Sequence, residues 1–316
     1  MSDLADDLQR FLDSASRPPS KDRRRRAAAA GGLALLAAVA LGAVLWIEGK
    51  EETGGGEVSG APANAEPGCI RALVIGVNRC GRKEVLEDLK YAEADAIEMS
   101  EVLRSIASKP EDVTLMATQL EKPHLAPRKH HTLRELQGIV RVSKPADTPI
   151  VSFAGREVLR RGDREYYLGL SDADPDDPRA MVTLTEVYAE LLRAKAAFRL
   201  VLIDACRMHP KGDPTEAKVQ PPEGVTVFFG CSAREVCFED PDHRHGVFSY
   251  HLIEGLKGSA DLDRDGKVTL AELEKFVKDS VPEHVRRRHK QSQNPELLGA
   301  PKEERPLPVG RMKSAG

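Results

Sequence analysis

From residue 70 onward, short apolar runs alternate with stretches in which apolar residues recur every three or four positions. Arg71 to Val77 (RALVIGV) reads as a strand, as do Asp112 to Ala117, Pro149 to Ala154, Arg199 to Ala205 and Gly224 to Gly230. Between them, Leu89 to Ile106 places Leu89, Ala92, Ala96, Met99, Val102, Leu103 and Ile106 at helical spacing. Further helices are predicted around Thr132 to Val142, Thr183 to Ala197, Phe248 to Leu256 and Leu270 to Val281. Near-continuous apolar strands separated by helices predict an α/β fold: a mostly parallel sheet flanked by helices on both faces. In such sheets chemistry collects at the carboxyl ends of the strands.

The region before residue 70 has a different pattern. Ala27 to Ile47 contains no charged residue and is long enough, at ~1.5 Å per residue, for a helix to cross a ~30 Å hydrocarbon layer. Lys21 and Arg23 to Arg26 precede it, and Glu48, Lys50, Glu51 and Glu52 follow it. The positive-inside rule then predicts a single-pass anchor with residues 1–26 cytoplasmic and everything after Ile47 extracytoplasmic. The competing reading is a cleaved signal peptide, because Ala63-Asn64-Ala65 matches a small-residue cleavage site. That site lies far beyond the apolar run, which is itself long for a signal core, so the anchor is preferred. Residues 48–67, with Gly54-Gly55-Gly56 and no periodicity, read as a flexible linker. The folded domain is expected over residues 68–298, with residues 299–316 as a disordered tail.

Composition narrows the function. With 316 residues, 41% hydrophobic, the chain is neither fibrous nor wholly disordered, and a net charge of -3 argues against a dedicated nucleic-acid binder. Five scattered cysteines do not make a disulfide framework. Cys69 and Cys80 bracket a strand and are too far apart to pair, whereas Cys231 and Cys237 flank a tight connection and could meet or simply pack as thiols.

Two segments carry chemistry. At the end of the strand RLVLIDA stands Cys206, with Asp204 two residues before it. Independently, Asp261, Asp263, Asp265, Gly266 and Glu272 occupy positions 1, 3, 5, 6 and 12 of an EF-hand-type calcium loop spanning residues 261–272. Short carboxylates supply hard oxygen ligands, Gly266 permits the sharp turn, Lys267 would offer its carbonyl, and Glu272 would close the shell. Calcium is therefore the expected cofactor, in a structural role.

The chain also resembles a family. RALVIGVNRC resembles the opening strand of caspase-like and metacaspase-like cysteine peptidases, LKYAEADAIEMSEVL their first helix, and VLIDACR their nucleophile strand. GCSAREVCFED and the segment from His245 to Val277 resemble the smaller-subunit half of bacterial members. The resemblance covers roughly residues 70–295. It implies a caspase-like fold and peptide-bond hydrolysis by a Cys-His dyad, with Cys206 as nucleophile and Asp204 as the acid that reads a substrate Lys or Arg. It also likens Asp172, Asp174, Asp176 and Asp177 to a metacaspase segment able to bind calcium, for which a solvated loop is the plainer reading.

The chain departs from the family at one decisive place. Where the resemblance calls for Ser-Gly-His-Gly after the third strand, the sequence reads Ala154-Gly155-Arg156-Glu157. Arg156 replaces the catalytic histidine, and an arginine holds its proton too tightly to shuttle it. Loss of such a group commonly costs about 10²- to 10⁴-fold in rate. Glu157 stands at the oxyanion-hole glycine, where a carboxylate would oppose developing negative charge. The expectation is a membrane-anchored pseudo-peptidase or strongly impaired homologue that binds a peptide or protein partner. The alternatives are an endopeptidase cleaving after Lys or Arg with a substitute base, such as His209, His243 or His245, and a redox sensor built on a cation-activated Cys206.

Overall fold

The computed structural model describes residues 68–81, 88–120, 122–159, 165–174, 176–208, 220–233, 235–301, 307–308 and 310. The apolar run at 27–47 lies outside them, as do residues 1–67 generally. No helix among the described residues is long and apolar enough to cross a membrane.

An eight-stranded sheet forms the centre, with a path in the order β11 (Glu296–Leu298), β7 (Thr226–Phe229), β6 (Leu200–Met208), β3 (Thr148–Leu159), β1 (Ile70–Gly76) and β2 (Val113–Ala117). All pairs along this path are parallel except β11 with β7. β4 (Tyr166–Leu168) returns antiparallel onto the far end of β3, and β5 (Val182–Thr183) pairs with β4. The expected mostly parallel sheet is thus present, with antiparallel additions at one edge and around the end of β3.

Helices cover both faces. One face of the sheet, with Ala72, Val74, Ile150, Leu200, Leu202 and Phe228, packs against apolar stripes of α1 (Ala92–Ile106), α4 (Val247–Glu254) and α5 (Leu270–His289). The other face, with Leu73, Ile75, Val151, Phe153, Val201 and Ile203, packs against α2 (Lys129–Val142) and α3 (Leu184–Leu192). Strands buried on both faces have no polar side to show, so they read as continuous apolar runs. The end of β1 lies so close to α1 that a Cβ on Gly76 would sit 2.6 Å from both the Ala92 carbonyl oxygen and the Ala96 Cβ.

Helix and strand ends shift by a few residues from the sequence expectation, and four larger differences stand out. β3 and β6 continue past Ala154 and Ala205 to Leu159 and Met208, so Arg156, Glu157 and Cys206 lie within paired strands, not in loops after them. The returning strand β4 supplies Leu168, Tyr167 and Tyr166 as partners for Glu157, Val158 and Leu159, which extends β3 without local apolar signal. α5 does not stop at Val281 but runs through Pro282 to His289. Proline removes one helical hydrogen bond, and here the buried row Val277, Val281 and Val285 holds the helix on the core across it. Finally, the segment expected to be a disordered tail contributes β12 (Leu307–Pro308), antiparallel to β10 (Lys267–Val268), and the Gly310 N–H donates to the Leu256 carbonyl. Gly299, at its start, accepts from the Thr226 hydroxyl at 2.6 Å.

Candidate active site

The register between β3 and β6 sets the frame. Ala154 lies beside Asp204, Arg156 beside Cys206, and Glu157 beside Arg207. Arg156 and Cys206, the two positions the sequence singles out, are therefore direct neighbours on adjacent parallel strands. Arg156 is half-buried, and its charge also reaches the Cys80 thiol, which burial pushes up and the guanidinium partly pulls back. Glu157 is fully buried, flanked by Leu168 on β4 and Arg207 on β6.

Beside this pair is a small cavity of about 20 Å³ lined by Asp95, Asp204, Glu239, Ala205, Cys237 and Gly246, among others. Three carboxylates from distant segments meet here, each tied to backbone amides or a hydroxyl. Asp204 accepts from the Ser249 N–H at 3.0 Å and the Ser249 hydroxyl at 2.6 Å. Asp95 accepts from the Gly246 N–H at 3.1 Å. Glu239 accepts from the N–H groups of Lys90 at 2.9 Å and Tyr91 at 2.8 Å, at the start of α1. Gly246 is required at its position, because a Cβ would come within 2.4 Å of Asp204 Oδ2 and 3.1 Å of Asp95 Oδ2.

Burial governs the charge of this group. Asp95 is pushed up to about 7 by desolvation, with Asp204 adding repulsion, although hydrogen bonds from His245 and Gly246 pull the other way. Desolvation also raises Asp204 against its bonds from Ser249. Buried acids whose charge is disfavoured by desolvation regain it when a cation is placed beside them. Asp204 is the one of the three that the resemblance of its strand singles out in the sequence. Asp95 and Glu239 escape sequence reasoning, since nothing local marks an acid on the first helix or in the 237–246 connection as facing a cavity.

The two candidate substitute bases among the described residues, His243 and His245, are engaged elsewhere. His245 donates from Nδ1 to Asp95 and from Nε2 to Glu98, both at 2.7 Å. Burial disfavours its charge, but the two carboxylates prevail and raise it to about 9, so at neutral pH it keeps its proton and is a poor general base. His243 Nδ1 lies 3.1 Å from Asp240 Oδ2. His130 and His131 begin α2, on the opposite face of the sheet from α1 and α4, and His209 lies outside the described residues. Cys231 and Cys237 do meet, as thiols, with Sγ atoms 2.9 Å apart and both near the Ala205 carbonyl that precedes Cys206.

Comparison with known proteins decides the family. The profile of the caspase domain matches residues 70–303. The chain belongs to the caspase-domain family. Its fold is similar to protein GSU0716 from Geobacter sulfurreducens, at 18% identity and a TM-score of 0.53 over 74% of this chain and 95% of that one. It is also similar to caspase-1 from Spodoptera frugiperda, at 15% identity and a TM-score of 0.51 over 78% of this chain and 93% of that one. No curated protein matches the sequence.

Elsewhere in the caspase domain, the 261–272 loop brings the carboxylates of Asp261, Asp263 and Asp265 within 4.8 Å of one another. Their oxygens accept from the N–H groups of Asp265, Gly266 and Lys267, and Gly266 takes a φ of 82°, as a sharp turn requires. Lys267 opens β10. Glu272 stands apart from the three aspartates: it forms a capping box with Thr269 at the start of α5 and accepts from the Leu262 N–H at 3.1 Å. The three aspartates fit a hard cation. Glu272 would have to swing from its cap to complete the shell. The acidic run behaves differently: Asp172 caps the Lys129 N–H, Asp174 accepts from the Asp176 N–H and Asp177 pairs with Arg179. These four carboxylates do not converge on a cation site among the described residues.

Proposed function

We propose that this caspase-domain protein recognises basic peptide segments and hydrolyses them poorly or not at all. The observation that carries the reading is Arg156 standing as the register neighbour of Cys206. A permanently protonated guanidinium there can stabilise a thiolate but cannot return a proton to a departing amine. Support comes from His245, whose ring nitrogens are both committed to carboxylates. The recognition half rests on Asp95, Asp204 and Glu239 lining one cavity. The cavity has room for about one water molecule, so the tip of a Lys or Arg side chain would enter as the lining opens, exchanging that water for charge-assisted bonds to the acids.

The domain would be carried outside the cytoplasm on an anchor at residues 27–47 and a tether at 48–67. Calcium held by Asp261, Asp263 and Asp265, with the Lys267 carbonyl and Glu272 completing the shell, would brace α5 and the 255–272 connection. Chemically the ion would supply only charge neutralisation and cross-linking of the loop.

Hydrolysis of a Lys- and Arg-containing peptide panel, measured with the parent, Cys206→Ala and Arg156→His, tests the reading. No turnover by the parent, with turnover gained in Arg156→His and binding of basic peptides in both, is the expected result. Turnover by the parent that disappears in Cys206→Ala would instead establish an active endopeptidase with a base not identified above.

A further inference from the structure

We propose that Asp240, His243 and His284 form a binding site for a divalent transition-metal ion of the zinc type, which fastens the hairpin at residues 239–246 to α5. Asp240, buried at 1% exposure, presents one carboxylate oxygen to two imidazoles: Oδ2 lies 2.7 Å from His284 Nε2 and 3.1 Å from His243 Nδ1. These ligand atoms all fall within 4.8 Å of one another. Bonds of ~2.0 Å at tetrahedral angles place ligand atoms about 3.3 Å apart, so the two contacts to Asp240 Oδ2 would lengthen by about 0.6 and about 0.2 Å to admit an ion. Two imidazole nitrogens and one carboxylate oxygen are a donor set that suits zinc, and not calcium or magnesium.

The surroundings complete the case. His284 Nδ1 lies 3.0 Å from His251 Nε2, so the second nitrogen of a ligating ring has a partner that fixes its orientation. The other oxygen of Asp240 accepts from the Asp242 N–H at 2.8 Å, which holds the carboxylate plane. On the open side is a cavity of about 550 Å³ lined by His243, His251, His284 and Asp242, with Arg287 and Arg288. Three protein ligands beside an open space leave room for water or a partner's side chain as fourth ligand. On binding, the ion takes the ring-nitrogen lone pairs, and any proton those nitrogens carried leaves to solvent. Arg288, which pairs with Asp242 and approaches Asp240 Oδ1 at 3.6 Å, opposes the added charge, and Asp242 offsets it.

The site matters for the cavity described above because one short hairpin serves both. β8 (Glu239–Asp240) and β9 (His245–Gly246) pair with Glu239 opposite Gly246 and Asp240 opposite His245. Glu239 and Gly246 line the acidic cavity, while Asp240 and His243 face α5. The proposal is independent of whether Cys206 catalyses hydrolysis.

The test equilibrates the full chain with zinc alone, removes free ion by dialysis, and measures bound zinc by elemental analysis, with cobalt absorption reporting coordination geometry. One ion per chain is expected, with a tetrahedral cobalt spectrum, unchanged by Asp263→Ala in the calcium loop. His251→Phe should weaken binding by about 10- to 100-fold, and His243→Gln and His284→Gln by more. His243 is exposed and on a turn, so His243→Gln decides the matter alone if His284→Gln fails to fold. Absence of retained zinc, or zinc retained equally in His243→Gln because the thiols hold it, would overturn the assignment.

Discussion

The domain holds two groups of three carboxylates that differ in almost everything but their chemistry. Asp95, Asp204 and Glu239 come from three distant segments and meet around a small cavity, Asp95 buried and Asp204 and Glu239 half-buried. Asp261, Asp263 and Asp265 lie within five residues on an exposed loop. Burial raises Asp204 and takes Asp95 to about 7, and backbone amides hold the oxygens of both toward a narrow space. The exposed loop leaves its acids open to solvent, with their oxygens accepting from the loop's own amides. On the reading proposed above, the same side chain would meet a shaped organic cation in the buried group and a bare hard cation in the exposed one.

The largest expected effect comes from removing charge without changing shape in the buried group. Asp204→Asn should weaken binding of a Lys- or Arg-containing peptide by about 2–5 kcal/mol, the usual loss when one partner of a buried charged pair is truncated. Fluorescence anisotropy reads this directly, and equal affinity of the parent for lysine and norleucine peptides would end the contrast drawn above. Next is shape: Gly246→Ala forces a methyl against Asp204 and Asp95 and should cost about 1–3 kcal/mol of stability in urea titration.

Calcium tests the exposed group. At about 10 mM calcium, a site with a dissociation constant of about 10⁻⁴ to 10⁻³ M adds about 1.4–2.7 kcal/mol of stability. The corresponding rise in melting temperature should vanish in Asp261→Ala and persist in Asp204→Asn. A rise that survives Asp261→Ala would place the ion elsewhere.

The smallest effect concerns Glu98, just outside the buried group. Hydrogen bonds from His245 and Lys257 lower its carboxyl to about 2. A depressed folded-state value contributes stability above the ordinary range near 4.5 that is lost as pH falls toward 2. Glu98→Gln should therefore show a shallower loss of stability than the parent between about pH 5 and pH 2. Parallel curves for the two proteins would show that the bonds to Glu98 do not favour its charged form.

Much of this molecule is legible in the amino-acid sequence, because the signals are local. Continuous apolar strands between amphipathic helices announce a parallel sheet covered on both sides, and the spacing of Asp261, Asp263, Asp265 and Gly266 announces a loop in which those aspartates converge. Cys206, Asp204 and Arg156 are singled out in the sequence by the family resemblance of the segments that carry them, near the ends of apolar runs. Glu272 is legible as a loop residue, whereas its engagement in the α5 cap reflects a second local motif, the Thr269 capping box, that competes for the same carboxylate.

What lies beyond the sequence depends on partners far away along the chain. Pro282 reads as a helix stop, yet burial of Val277, Val281 and Val285 carries α5 past it, and only that continuation brings His284 to Asp240 and His243. β3 reaches Leu159 only because β4 folds back upon it, and the tail gains a strand only because β10 offers it an edge. Asp95 and Glu239 are ordinary acids in sequence and become cavity acids through the hairpin that docks on α1. Local periodicity determines which segments are helix or strand, since it follows from the backbone's own repeat. Which side chains meet, and how dry the place is where they meet, is decided by packing between segments, and charge and metal affinity follow from that.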